Sequence, residues 1–163
     1  MESQKQLIHK IITFLIDIGI EVRVEALAEP TILPGIDVQH GALVFDEAQL
    51  KYPGDLLHEA GHIAVVTPER RKRLHGNVGQ KAYEEMLAIA WSYAAAVHLG
   101  IDAAVVFHPD GYRGGSQALI ENFTNGRYIG VSTLEWIGLT IEPKRAVAME
   151  RALYPKMHKW LLD

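Results

Sequence analysis

The feature that most constrains this sequence is the five-residue motif from His58 to His62, His-Glu-Ala-Gly-His, which lies in an otherwise apolar segment. On a helix, residues four apart lie one above the other, so His58 and His62 can direct both imidazoles to one point. Two imidazoles at this spacing suit zinc. Glu59 lies about 100° further round the helix, where it could reach a water at that point without competing as a ligand. The alternative is a buried helix whose two histidines bond to each other or to the backbone.

Composition limits the other ligands and the partners. The chain has 163 residues, fits one domain spanning residues 1–163, and contains no cysteine, so histidine and carboxylate are the only strong ligands. Its net charge of −4 argues against nucleic acid or an anionic membrane as the main partner. The N-terminus has no signal pattern and no apolar run is long enough to span a membrane, so we expect a cytoplasmic protein.

The first third of the chain predicts a helix and three strands. Ser3 with Gln6 is a capping box for a helix that ends near Gly19. Residues 20–26 alternate between apolar and polar, which predicts a half-buried strand. Two further short strands are expected on either side of His40-Gly41, and the second is Ala42–Phe45. That strand could lie at the sheet edge, where an extended peptide could add to it, or it could be internal.

The rest of the chain is predicted to be mostly helical. The motif helix should begin within residues 52–55 and end near Val65, and a long, buried, alanine-rich helix should run from Gln80 to Leu99. Residues 101–107 fit either a short helix or a strand. Helices are also expected over 116–123, over 132–136 with a capping box of Ser132 and Glu135, and from Pro143 to about Leu153; Trp160 and Leu161 should pack the C-terminus down.

A third metal ligand is expected from the helix that follows the motif. Catalytic zinc usually has three protein ligands and a water, and Glu84 and Glu85 lie 22 and 23 residues beyond His62. The alternative is that these two acids are simply favoured by the helix dipole in a first turn. The basic cluster over residues 69–73 could steer an acidic substrate, although solvated surface is the more common role of such a run.

This arrangement resembles the gluzincins, in which a glutamate from the next helix completes H-E-x-x-H. Within that group the chain looks most like the small ImmA/IrrE-type metallopeptidases, over roughly residues 36–100. The family has small, aromatic and small residues three, six and seven positions after its ligand glutamate. Counting from Glu85 gives Ala88, Trp91 and Ser92, so the resemblance favours Glu85 as the ligand, with Glu84 as the alternative. It implies a zincin-like α+β fold, with a small sheet packed on the motif helix and a second buried helix.

The resemblance also implies an activity. His58, His62 and Glu85 would hold Zn²⁺, and Glu59 would act as the general base in hydrolysis of a peptide or protein substrate. Three residues are candidates for the oxyanion donor on residue type alone: Tyr112, His108 and Tyr128. The main alternative is a non-proteolytic zinc-binding regulator or scaffold. Two further alternative functions are a metal-free interaction protein and a hydrolase of non-peptide amides. The sequence predicts no oligomeric state.

Overall fold

A small three-stranded sheet lies against the helices, and its middle strand is completely buried. The computed structural model describes residues 1–28, 30–143 and 152–163. The strands are β1 (Val22–Val24), β2 (Ile36–Gln39) and β3 (Ala42–Phe45), in the order β1-β3-β2. β1 pairs with β3 in parallel, and β2 pairs with β3 as a hairpin. β3 is therefore the internal strand, which is one of the two alternatives left open for residues 42–45, and a peptide cannot add to it.

The N-terminal helix α1 (Gln4–Asp17) begins as the sequence predicts. The Ser3 side chain accepts from the Gln6 amide and the Gln6 side chain accepts from the Ser3 amide, which completes the capping box. Its apolar face buries Ile11, Phe14 and Leu15 in the core.

Two helices, α2 (Asp55–Ala64) and α4 (Ala82–Leu99), cross at the centre of the molecule. A Cβ on Gly61 would lie 2.9 Å from the Ala88 carbonyl oxygen and 3.0 Å from Ala88 Cα, so only glycine permits this approach. The contact is adjacent to His62 on α2 and one turn beyond Glu85 on α4. The crossing therefore brings the start of α4 against the metal-binding motif.

The remaining helices are short. They are α3 (Pro68–Arg71), α5 (Ala103–Val106), α6 (Ser116–Thr124) and α7 (Val131–Trp136), with a tight turn at Tyr112–Gly114. The capping box predicted for α7 is wrong, because α7 begins at Val131 and Ser132 lies inside it. Its N-cap is Gly130, with φ of 86°, where a Cβ would lie 2.7 Å from the Met86 carbonyl. Close packing against α4, rather than a side-chain cap, sets this start.

The C-terminal segment packs on the core as predicted. The Trp91 indole donates to the Trp160 carbonyl at 2.9 Å, and the Trp160 ring meets Phe14 edge-on at 5.0 Å. The Leu162 amide donates to the carbonyl of Ala64 at 2.9 Å, at the end of α2. The helix predicted from Pro143 to about Leu153 falls mainly on residues 144–151, which lie outside the described residues.

The described residues form a mixed α+β structure with three strands and seven helices, which confirms the predicted fold class at that level. Within these residues, no helix is both long and apolar enough to cross a membrane.

Candidate metal centre

The motif histidines converge on one buried point. His58 and His62 are 7% and 2% exposed, and their ring centroids are 5.0 Å apart. One ligand atom from each of His58, Glu59 and His62 lies within 4.8 Å of the others, so this group could hold a metal ion. The spacing predicted from helical geometry is therefore realised, although this arrangement does not identify the metal.

The Glu85 carboxylate lies against both histidines. Its Oε1 is 3.0 Å from His58 Nε2, and its Oε2 is 2.8 Å from His62 Nε2. Burial acts most strongly on this carboxyl and raises its pKa, but the hydrogen bonds to the two histidines outweigh burial and hold the pKa well below its ordinary value. Glu85 is therefore an ionised oxygen donor at the point where the two imidazoles meet.

The neighbouring Glu84 points elsewhere. Consecutive helical residues diverge by about 100°, and Glu84 forms an ion pair with Arg70 of α3 while also accepting from the Tyr83 hydroxyl. Its side chain is only 5% exposed. Glu84 is thus used in a structural pair, and of the two glutamates only Glu85 contacts the histidines.

The three side chains suit a metal ion with nitrogen and oxygen ligands. Ligand atoms at about 2.0–2.1 Å from a tetrahedral zinc are roughly 3.3 Å apart, slightly more than the 2.8 and 3.0 Å between Glu85 and the histidines. Space is kept open beside them by Gly79, since a Cβ there would lie 3.3 Å from Glu85 Oε2 and 3.9 Å from His62 Nε2. The residues present therefore fit an ion after a small outward shift.

The Nδ1 atoms of the two histidines, which face away from Glu85, have no hydrogen bonds from the described residues that would orient the rings. Nδ1 of His58 and Nδ1 of His62 are buried and have no hydrogen-bond partner within the described part of the chain. Histidine ligands usually donate this second nitrogen to a carboxylate or carbonyl, which fixes the ring and increases its basicity. The His58 ring instead packs edge-on against the Tyr112 ring, with the centroids 5.4 Å apart.

Glu59 lies beside the candidate ligands and faces a groove. Burial raises the pKa of its carboxyl to about 7, an effect that the nearby His62 only partly offsets. The groove has a volume of about 1480 Å³ and is lined by His58, Glu59 and Glu85 together with apolar residues such as Leu27, Ile89 and Leu119. A carboxyl with a pKa close to neutrality at an open groove can exchange a proton with a water.

Tyr112 also lines this groove, and its hydroxyl is buried without a hydrogen-bond partner among the described residues. Burial, together with the carboxyls of Asp55, Glu85 and Glu59, raises its pKa well above the ordinary value, so the phenol keeps its proton and remains a donor. Of the other two oxyanion candidates, Tyr128 packs against Tyr154 at 4.7 Å and does not line the groove.

His108, the third candidate, forms a buried pair with Asp55. Its Nε2 lies 2.7 Å from Asp55 Oδ1, while its Nδ1 has no partner in the described chain. Burial raises the pKa of Asp55, and the bond to His108 opposes that increase. No local sequence pattern predicts this pair, since 53 residues separate its members. The polar, turn-rich stretch around His108 was its only signal.

Two arginines of the basic cluster after α2 have structural roles. Arg71 donates to the carbonyls of Ile63, Val66 and Leu162 at 2.9, 3.1 and 2.8 Å, which binds the end of α2 to the C-terminal segment. Arg70 is paired with Glu84. Two of its arginines thus stabilise the fold, and neither lines the groove.

In comparisons with protein-family models, curated proteins and solved structures, none matches this chain. The resemblance to gluzincins therefore depends on the motif residues and their spacing, and the arguments about function depend on the site itself.

Proposed function

We propose that this protein is a zinc-dependent metallopeptidase, with His58, His62 and Glu85 as zinc ligands and Glu59 as the general base. The observation that best supports the proposal is the contact of one ionised carboxylate, Glu85, with both motif histidines, beside a second carboxyl, Glu59, whose pKa of about 7 suits a general base. Glu85 comes from the helix after the motif, as in gluzincins, and a zincin-like fold is part of the proposal.

The groove supports a peptide as the substrate. At about 1480 Å³ it is larger than the roughly 300–1,000 Å³ of pockets for small ligands. It is lined by residues 25–28 and 30–34, by the candidate site and by the turn at Tyr112, with both apolar and polar side chains in its walls. An extended peptide of several residues fits such a volume.

The reaction can be assigned to the chain's own groups. A bound zinc would polarise the scissile carbonyl and acidify the attacking water. Glu59 takes the proton from that water and passes it to the leaving amine. The protonated Tyr112 hydroxyl donates to the oxyanion that develops on the carbonyl, which uses the hydrogen bond that it lacks in the free protein.

The second candidate is a zinc-binding regulator or scaffold without hydrolytic activity. Such a protein needs the three ligands but has no use for a further carboxyl such as Glu59, whose ionisation is made costly by desolvation. The position of Glu59 therefore favours the peptidase.

Glu59→Gln separates the two candidates. It should leave zinc content and the circular dichroism spectrum unchanged while reducing hydrolysis by about 10²–10⁴-fold, the usual effect of removing a general base. Incubation of the zinc-loaded variant with cell extract should capture a protein that the wild type cleaves. The exposed Glu47→Gln serves as the matched control and should cleave like the wild type.

The regulator would be favoured by a different result. If both forms bind the same partner equally, and the wild type cleaves nothing that the variant captures, zinc binding without proteolysis is the function.

A further inference from the structure

The turn that contains Tyr112 is attached to the start of α2 by four side chains, which we call the anchor: Tyr52, Asp55, His108 and Asp110. His108 Nε2 lies 2.7 Å from Asp55 Oδ1, and the His108 ring stacks on Tyr52 with centroids 3.9 Å apart and planes 9° apart. The Tyr52 hydroxyl donates to Asp110 Oδ2 at 2.6 Å. Two anchor residues precede His58 on the chain and two precede Tyr112, so the anchor connects the candidate ligands with the oxyanion donor.

The central pair of the anchor is buried and therefore strong. Asp55 is 3% exposed and His108 is 8% exposed. A hydrogen bond between an ionisable pair is strengthened in an environment of low dielectric, and breaking it leaves a buried group unsatisfied. The stacked Tyr52 ring restricts the remaining freedom of the imidazole.

The anchor transmits this rigidity to Tyr112 through the backbone. A Cβ on Gly111 would lie 3.0 Å from His108 Cε1, and the Gly111 amide donates to the His108 carbonyl at 3.2 Å. The next two residues, Tyr112 and Arg113, have φ of 57° and 52°, a conformation that side-chain-bearing residues rarely adopt and that persists only when the surroundings impose it.

The Tyr112 hydroxyl has no hydrogen bond of its own in the described chain that could fix its place. Its ring packs edge-on against Phe107 and His58, each at 5.4 Å, and neither contact fixes the hydroxyl by a directional bond. The position of the hydroxyl relative to the candidate ligands therefore depends on where the turn is held.

We propose that the anchor is a positioning device for the Tyr112 hydroxyl, and that Asp55 and His108 are positioning residues that act on catalysis only through Tyr112. Asp55 lies three residues before His58 on the same helix. The Asp55–His108 pair therefore fixes the position of the turn relative to the candidate ligands. This inference rests on the proposed function, because it assigns Tyr112 the oxyanion.

The structural test is nitration of Tyr112 by tetranitromethane in the zinc-loaded protein, followed by peptide mass spectrometry. Tyr112 should resist nitration in the wild type, with the exposed Tyr83 as the internal reference. In His108→Asn, Tyr112 should be nitrated about tenfold faster, since a hydrogen bond to a charged group contributes about that factor to local opening. His108→Gln, which keeps a donor within reach of Asp55, should remain close to the wild type.

The kinetic test is a double-mutant cycle on a library of quenched fluorescent peptides. Tyr112→Phe should lower kcat by about 10²-fold. His108→Asn should lower kcat by about tenfold with KM nearly unchanged, and should cause no further loss in the Tyr112→Phe background, since both act through one group. His40→Asn, at an exposed turn position, is the matched control and should change neither readout.

The outcomes separate the inference from the proposed function. Unchanged nitration of Tyr112 in His108→Asn overturns the inference, as does a full tenfold loss in the Tyr112→Phe background, which would show that His108 touches the substrate itself. If nitration responds as expected while the zinc-loaded wild type cleaves no peptide, the anchor holds Tyr112 and the peptidase function is wrong.

Discussion

At the scale of the residue, two adjacent glutamates have different tasks. Glu85 contacts His58 and His62, whereas Glu84 is buried in a pair with Arg70. Glu85→Gln should therefore weaken zinc binding by at least about 100-fold, because even the loss of an outer-shell partner costs 10–100-fold. Competition with a chelating dye measures this affinity.

The matched variant Glu84→Gln should have the opposite profile. We expect zinc affinity to change little and the free energy of unfolding to fall by about 1–2 kcal/mol, less than for a fully buried pair because Arg70 is 35% exposed. Urea unfolding of the metal-free protein checks this prediction. A greater loss of zinc in Glu84→Gln than in Glu85→Gln would show that Glu84 is the ligand.

At the scale of the element, the end of α2 depends on one arginine. The Arg71 side chain donates to the carbonyls of Ile63 and Val66 and also to that of Leu162, so the end of α2 is capped by a residue of α3. Arg71→Ala should destabilise the protein by about 2 kcal/mol, since it removes charged hydrogen bonds at a helix end. The exposed neighbour Lys72→Ala should stay within about 0.5 kcal/mol of the wild type in urea unfolding.

The end of β3 has an acid-sensitive contact. Asp46 accepts from the amides of Leu27 and Ala48 at 3.0 and 2.9 Å, and the Leu27 bond is the main reason why its pKa lies below the ordinary 3.8. A lowered folded-state pKa stabilises the fold above pH 3.8, and this stability is lost as the pH falls through the folded-state pKa.

Asp46→Asn should therefore have a lower free energy of unfolding than the wild type at pH 6. On acidification to pH 3, its free energy of unfolding should fall by less than that of the wild type. Urea unfolding across this range measures the difference, with the exposed neighbour Glu47→Gln as the control. Parallel pH curves for wild type and Asp46→Asn would contradict the prediction.

At the scale of the whole molecule, the candidate site joins elements that are far apart in the chain. A ligand that binds only the folded state stabilises it by about 4 kcal/mol at 1,000 times its dissociation constant. For a chain of this size, zinc should raise the melting temperature by roughly 8–16 °C. Circular dichroism melts with and without zinc test this, and an equal rise in His58→Ala/His62→Ala would place the binding elsewhere.

Most local structure could be predicted from sequence because local signals specify it. The capping box at Ser3, the His40-Gly41 turn and the left-handed Gly100 that ends α4 all act within a few residues. The capping box predicted at Ser132 is wrong, because the tertiary contact of Gly130 with Met86 sets the start of α7 instead of a side-chain cap.

By itself, the sequence determined which residues could meet on one helix. The positions of His58, Glu59 and His62 follow from the 3.6-residue period, and the absence of cysteine restricts the third ligand to histidine or a carboxylate. Only the tertiary structure brought Glu85 rather than Glu84 against the histidines, placed Gly79 beside these candidate ligands and paired Asp55 with His108. Those outcomes depend on how α2 and α4 cross at Gly61 and Ala88, and the angle between two helices is set by packing across many residues, which no local pattern encodes.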